Sequence, residues 1–497
     1  MKKTVFAFIA APVMAMLFSL TAWGIQPEDI VTVEPTIDLH EFLPEKSYES
    51  LNFLEPEPFS DGLAKVGYLG SRNDPVNKTA IVVESGYGFI DTAGNMVVPM
   101  IYDAAGSFSE GLAWVKKDGK RGYIDTQGNA VTPLIYDEED EYSYSETWEV
   151  TEGFARIRLD WQYGFIDATG KVAVEPAYDG ASVFSEGFAA VYKNGRYGFI
   201  DTLGNLAIPL EYDWASSFSD GFATVQKDGR YGFIDTTGKL VVPNIYDDAI
   251  MFSEGLAPVI KDGWCGFVDT AGRVAIPFDY YDVRPFYEGY AAVNIEGNCG
   301  FINTANKVVV PLTYDTVDRF YEGRAAVRKD EKCGFVNTTG AVILPVEYEN
   351  VGSFKDGLAV VGNDGKCGLI NREGNFVVPL IYDDISEFCG ELAAVNNDCK
   401  WGFIDTGGNV VAALEYDFAT AFNEGYALVQ QNGRWSLLQN TAYVAPAKSG
   451  DTENTDEGDT PAARSGSGIY LWIGLAAAVI LLAAVIIILM RKKAPKK

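Results

Sequence analysis

Histidine is almost missing from this 497-residue chain; the single one, His40, stands in an acidic stretch ahead of the main body. No Ser-His or Cys-His dyad can therefore be assembled in the rest of the sequence, which removes the commonest nucleophilic hydrolases. Basic residues are also scarce. With 39 Lys and Arg against 69 Asp and Glu, the net charge of -30 would repel nucleic acid or an anionic bilayer surface, so neither is expected as a partner. Six cysteines are present, none at the short paired spacing that zinc ligation needs. The Gly-Gly-x-Gly-x-Asp nonapeptide and the EF-hand loop are both absent, and no cofactor is expected.

The two ends carry targeting signals. Lys2 and Lys3, an apolar run from Val5 to Leu20, and the small residues Ala22 and Gly24 follow the order of a signal peptide over 1–24. At the other end, 469–490 is an uncharged apolar run long enough to span a bilayer as a helix. Arg491, Lys492, Lys493, Lys496 and Lys497 follow it, so 491–497 reads as a basic cytoplasmic tail with everything N-terminal outside. No sortase-type Leu-Pro-x-Thr-Gly precedes the span. The expected location is the cytoplasmic membrane, single-pass, with an extracellular ectodomain. Residues 440–468, rich in Ala, Ser, Thr, Asp, Glu and Gly, read as a flexible linker, and 25–58, with seven glutamates, as an extended lead-in.

Between these lies a repeat. Gly88, Gly122, Gly164, Gly198, Gly232, Gly266, Gly300, Gly334, Gly368 and Gly402 recur at intervals of 34 residues, except for one of 42. Each copy reads roughly Tyr-Gly-Phe-Ile-Asp-Thr-x-Gly-x-Val-Val-x-Pro, then Tyr-Asp, then Phe-Ser-Glu-Gly-x-Ala-x-Val. Half-copies stand at Phe59 to Val66 and at Trp435 to Leu438. Apolar runs of three to five residues, with glycines and a proline at fixed places, exclude a pair of helices. Asn194-Gly195, with Asp-Gly at the same place in other copies, signals a tight hairpin. The expected fold is all-β: a tandem array of about ten three-stranded repeats over 59–439, read as an open β-solenoid or superhelix in preference to a closed β-propeller, plus one C-terminal transmembrane helix.

Trp401-Gly402-Phe403-Ile404-Asp405, with the downstream Pro, Tyr-Asp and Phe-x-Glu-Gly elements, resembles the bacterial WG repeat, and the resemblance covers about residues 59 to 438. Most copies replace the tryptophan with Tyr or Cys. The resemblance implies a β repeat module found on varied bacterial proteins and implies no catalytic residues.

Three sets of residues invite a chemical reading. Asp91, Asp125, Asp167, Asp201, Asp235, Asp269 and Asp405 align, as do Glu110, Glu186, Glu254, Glu288, Glu322 and Glu424; because Asn takes the aspartate position at 303, 337 and 371, turn formation is favoured over a metal ladder. Cys265, Cys299, Cys333 and Cys367 stand one period apart, as packed thiols or, less favoured, as disulfides. An insertion near Asp137 to Val150 breaks the repeat, and its Tyr142, Tyr144 and Trp148 are candidate partner contacts. Carboxylates can run glycoside hydrolysis without histidine. Near-identical copies of each carboxylate position argue against it, and the expectation is a non-enzyme. It would bind an extracellular protein or, as the alternative, a cell-wall glycan.

Overall fold

The computed structural model describes residues 25–37, 50–73, 80–138 and 150–444. The signal peptide, the transmembrane span, nearly all of the linker, the basic tail, His40 and the trio Tyr142, Tyr144 and Trp148 lie outside the described residues. Among the described residues no helix is long and apolar enough to cross a membrane.

Eleven antiparallel sheets follow one another along the chain, nine of four strands and two of three. They are numbered here as blades 1 to 11; blade 4, residues 180–212, serves as the pattern. Its strands are Gly180–Ala181, Phe188–Lys193, Arg196–Asp201 and Leu206–Tyr212, hydrogen-bonded in that order. Asn194 and Gly195 join the middle pair with φ of 51° and 79°, as a turn matching strand twist demands. The sequence expectation of three strands per unit thus falls one short. The extra strand is two residues long, just after Tyr-Asp, too short to show any periodicity of its own.

Both faces of each sheet are covered. In Phe188–Lys193 the three consecutive residues Ala189, Ala190 and Val191 are buried, which is why the apolar positions come in runs rather than alternating. The phenylalanine of Tyr-Gly-Phe in one blade meets that of Phe-Ser-Glu-Gly in the next, as in Phe199 with Phe218 at 4.8 Å and Phe233 with Phe252 at 4.7 Å between centroids. Such tilted and edge-on pairs add roughly 0.5–1.5 kcal/mol beyond area burial.

The expectation of an open array is overturned. Eleven sheets in an open row would have ten interfaces, whereas eleven apolar clusters are present, each shared by two neighbouring blades. The closing cluster joins Leu428, Trp435 and Leu437 of blade 11 to Phe59, Val66 and Tyr68 of blade 1. Asn423 also donates to the Phe59 carbonyl at 2.7 Å, and the amides of Asp61 and Gly62 donate to Glu424 at 3.0 and 2.7 Å. Ile30–Ile37, within the stretch read as a lead-in, pairs antiparallel with Arg434–Asn440 and completes the four strands of blade 11. The arrangement is an eleven-bladed β-propeller. A 34-residue period reports the unit but not the rotation between units, and that rotation decides whether an array closes.

Candidate functional site

The aligned aspartates are turn formers. Asp201 Oδ1 accepts from the amides of Leu203 at 3.0 Å and Asn205 at 2.8 Å; Asn303 Oδ1 does the same for Ala305 and Lys307 at 3.1 and 3.0 Å. The Asn205 side-chain amide, then backbone amides, hold the Asp201 carboxyl below the usual range; the Thr237 hydroxyl leads the same effect at Asp235. A depressed native value favours the folded state once the group ionises. That contribution is complete above the unfolded value of about 3.9 and is lost as pH falls through the native one. Stability should therefore decline below about pH 4. Replacing Asp167, Asp201, Asp235 and Asp269 together by Asn should make the decline shallower in a pH series of denaturation midpoints, because Asn303, Asn337 and Asn371 hold the same turns without a titrating proton.

The aligned glutamates link blades, a role that spacing alone did not reveal. Glu288 in blade 7 accepts from the amides of Glu322 and Gly323 in blade 8, both at 2.7 Å, and Glu152 does the same for Glu186 and Gly187. Blade 10 departs from the pattern, reading Cys389-Gly390-Glu391. There the Cys389 thiol reaches Asn423 Oδ1 at 3.6 Å instead.

All six cysteines are free thiols. Cys265 is buried and pairs in register with Tyr280, and Cys299, Cys333 and Cys367 take the same place in blades 7, 8 and 9. Burial pushes the Cys265 and Cys367 thiols upward, away from the reactive thiolate. Equivalent residues fall in successive blades, so no two of Cys265, Cys299, Cys333 and Cys367 share a sheet.

The departure that builds a site lies elsewhere. After the phenylalanine of Phe-Ser-Glu-Gly five of the eleven blades carry a serine, and four of those hydroxyls bond the next blade, as Ser185 does to the Phe218 carbonyl at 2.9 Å and Ser253 to the Phe286 carbonyl at 2.6 Å. Blades 7 and 8 carry Tyr287 and Tyr321 there. The guanidinium of Arg319 lies over both rings, 4.5 Å from the Tyr287 centroid and 4.6 Å from that of Tyr321, and its Nε donates to the Tyr321 hydroxyl oxygen. That hydrogen bond raises the Arg319 guanidinium above its usual range, so the charge is fixed.

These residues line a cleft of about 410 Å³ built from the same loop of three successive blades. The loop presents Ile250 and Met251 in blade 6, Arg284 and Pro285 in blade 7, and Asp318 and Arg319 in blade 8. Met251 is 51% exposed and Tyr287 41%, unusual for apolar side chains standing together. Among the described residues neither Arg284 nor Arg319 meets a carboxylate. A second cleft of about 330 Å³, lined by Lys355 and Ser386 among others, shares Tyr321 as its wall. The signal was in the sequence: Phe-Tyr-Glu-Gly occurs at 286–289 and again at 320–323.

The family model described as WG containing repeat matches ten segments in succession: 87–120, 122–160, 163–197, 197–231, 231–263, 266–299, 300–333, 334–367, 368–401 and 401–435. The chain belongs to the WG containing repeat family. Its match begins in blade 1 and ends in blade 11, so the family's unit covers well over half of the chain. No curated protein matches the sequence. Among solved structures, the chain is similar to a eukaryotic initiation factor, at 14% identity and a TM-score of 0.36 over 55% of this chain and 88% of that one. It is also similar to an extracellular domain described as that of a one component system from B. thetaiotaomicron, at 10% identity and a TM-score of 0.22 over 83% of each chain. Hsv2 from Kluyvelomyces marxianus is similar at 11% identity and a TM-score of 0.26, over 51% of this chain and 94% of that one. Likenesses this distant carry no function across.

Proposed function

We propose that this WG repeat protein is a non-catalytic binding scaffold, displayed outside the bacterial cytoplasmic membrane by a C-terminal helix over 469–490. The observation that carries the reading is the exchange of a bonding serine for tyrosine at 287 and 321. Ser185 and Ser253 bond the neighbouring blade; tyrosine gives up that bond for a half-exposed aromatic ring. Giving up a bond between blades to present an aromatic ring at the mouth of a cleft is characteristic of a site kept for recognition. Support for the location comes from the apolar run 469–490 and its five trailing basic residues. Support for a non-enzyme comes from the lone His40 and from carboxylates bonded to backbone amides in blade after blade. Shaving intact cells with an external protease should release the ring, while an epitope placed after Lys497 stays protected. Turnover of glycosidic or ester substrates by the purified chain, abolished by a single carboxylate substitution, would sink the non-catalytic reading. A cell-wall glycan as occupant is the alternative.

A further inference from the structure

We propose that the Tyr287–Arg319–Tyr321 cleft captures a peptide segment of a partner protein in which an acidic side chain stands beside an aromatic or aliphatic one; this rests on the binding-scaffold reading. Three features of the cleft fix that chemistry.

The first is charge. In a chain with 69 acidic and 39 basic residues an arginine has carboxylates to spare. Arg284 and Arg319 nonetheless line one cleft without a carboxylate partner, and Asp318 is the only acidic residue in its lining. Asp318 Oδ1 accepts the Arg319 backbone amide at 2.8 Å, and among the described residues its carboxylate pairs with neither guanidinium. An incoming carboxylate would supply the missing counter-charge, with charge-assisted hydrogen bonds to guanidinium edges.

The second is the apolar half. Ile250, Met251 and Pro285 border the arginines, and Met, Tyr and Arg are the residues enriched at the cores of protein interfaces. The third separates peptide from sugar. Glycan recognition by aromatics uses an open ring face, but Arg319 already lies against a face of both Tyr287 and Tyr321. The ring edges and the apolar floor remain, which suits a side chain better than a pyranose ring.

The sibling blades supply variants that leave the fold alone. Serine is native at the position of Tyr287 in blades 4, 5 and 6, at that of Arg284 in blades 4, 5 and 10, and at that of Arg319 in blades 5 and 9. The test pans a displayed random dodecapeptide library against the full chain and measures recovered peptides by fluorescence anisotropy on the wild type and on the reverted chain Tyr287→Ser, Tyr321→Ser, Arg284→Ser, Arg319→Ser. Recovered peptides should place Asp or Glu within two positions of an aromatic or aliphatic residue. Their affinity should fall at least tenfold on the reverted chain, and equally when the peptide's acid becomes an amide. Binders indifferent to the reversion would overturn the cleft assignment while leaving the scaffold reading intact. An empty selection would overturn it too. If instead a galacturonate oligomer binds the wild type and not the reverted chain, the occupant is a carboxylated glycan and the peptide assignment falls.

Discussion

Alanine in place of Gly232 should destabilise the ring by about 3 kcal/mol or more, the upper end of what overpacking costs when the obstructing atoms cannot move. A Cβ at Gly232 would stand 2.5 Å from the Val242 carbonyl oxygen and 2.8 Å from the Pro243 carbonyl carbon. Both are backbone atoms. They come this close because the last strand of blade 5 bulges: from Tyr231↔Tyr246 to Phe233↔Val242 one strand advances two residues and its partner four. The proline of the repeat sits inside that bulge, where its missing N–H costs the ladder nothing. The same approach recurs at Gly88, at 2.3 Å from the Val98 carbonyl oxygen, and at Gly402, at 2.7 Å from that of Ala412. In ten blades this position is held by glycine, whereas its neighbour varies among Trp, Tyr, Cys and, in blade 2, Arg121; blade 11, whose outer strand is Ile30–Ile37, carries Ser436 there. Chemical denaturation of Gly232→Ala beside Tyr231→Cys checks this: the glycine variant should lose most of its midpoint and the cysteine variant little. Equal losses would contradict the account.

Opening the ring should have the other large effect. Phe59 is 1% exposed within the closing cluster and lies 5.7 Å from the Tyr426 ring, so Phe59→Ala should cost about 3–5 kcal/mol, as for other buried aromatics truncated to alanine. Deleting residues 28–37 goes further. It strips Ile30–Ile37 from Arg434–Asn440 and bares a row of backbone groups on that strand. An exposed edge of this kind is a template for another chain. Size-exclusion chromatography should show the deleted protein as multimers or aggregate and the intact one without them, and protease should cut the deleted protein first near the junction of blades 1 and 11. A monodisperse deletion product of unchanged thermal midpoint would mean that the ring does not depend on this strand.

How much of this was legible beforehand varies by element. The hairpin at Asn194-Gly195 and the turn at Asp201 to Gly204 were readable, because each depends on a backbone conformation that few residue types adopt. The glutamates were visible as an alignment, but their partners are amides 34 and 35 residues downstream, a distance that means nothing until two blades stand side by side. The cleft was half visible. The doublet Phe-Tyr-Glu-Gly at 286–289 and 320–323 is written in the sequence, whereas Arg319 gains meaning only from its guanidinium lying over both rings.

What the sequence by itself determined was the unit: β strands, their turns, the 34-residue period and the family that the pattern marks. Those follow from local chemistry repeated ten times, and repetition makes local signals countable. Closure was decided only in three dimensions. A half-copy at Phe59 to Val66 and another at Trp435 to Leu438 leave unfinished surfaces at both ends of the array. Whether such ends meet depends on the small rotation each interface imposes, summed over eleven interfaces. Side chains from both ends, with the strand Ile30–Ile37 laid along the last blade, settle that sum in favour of a ring.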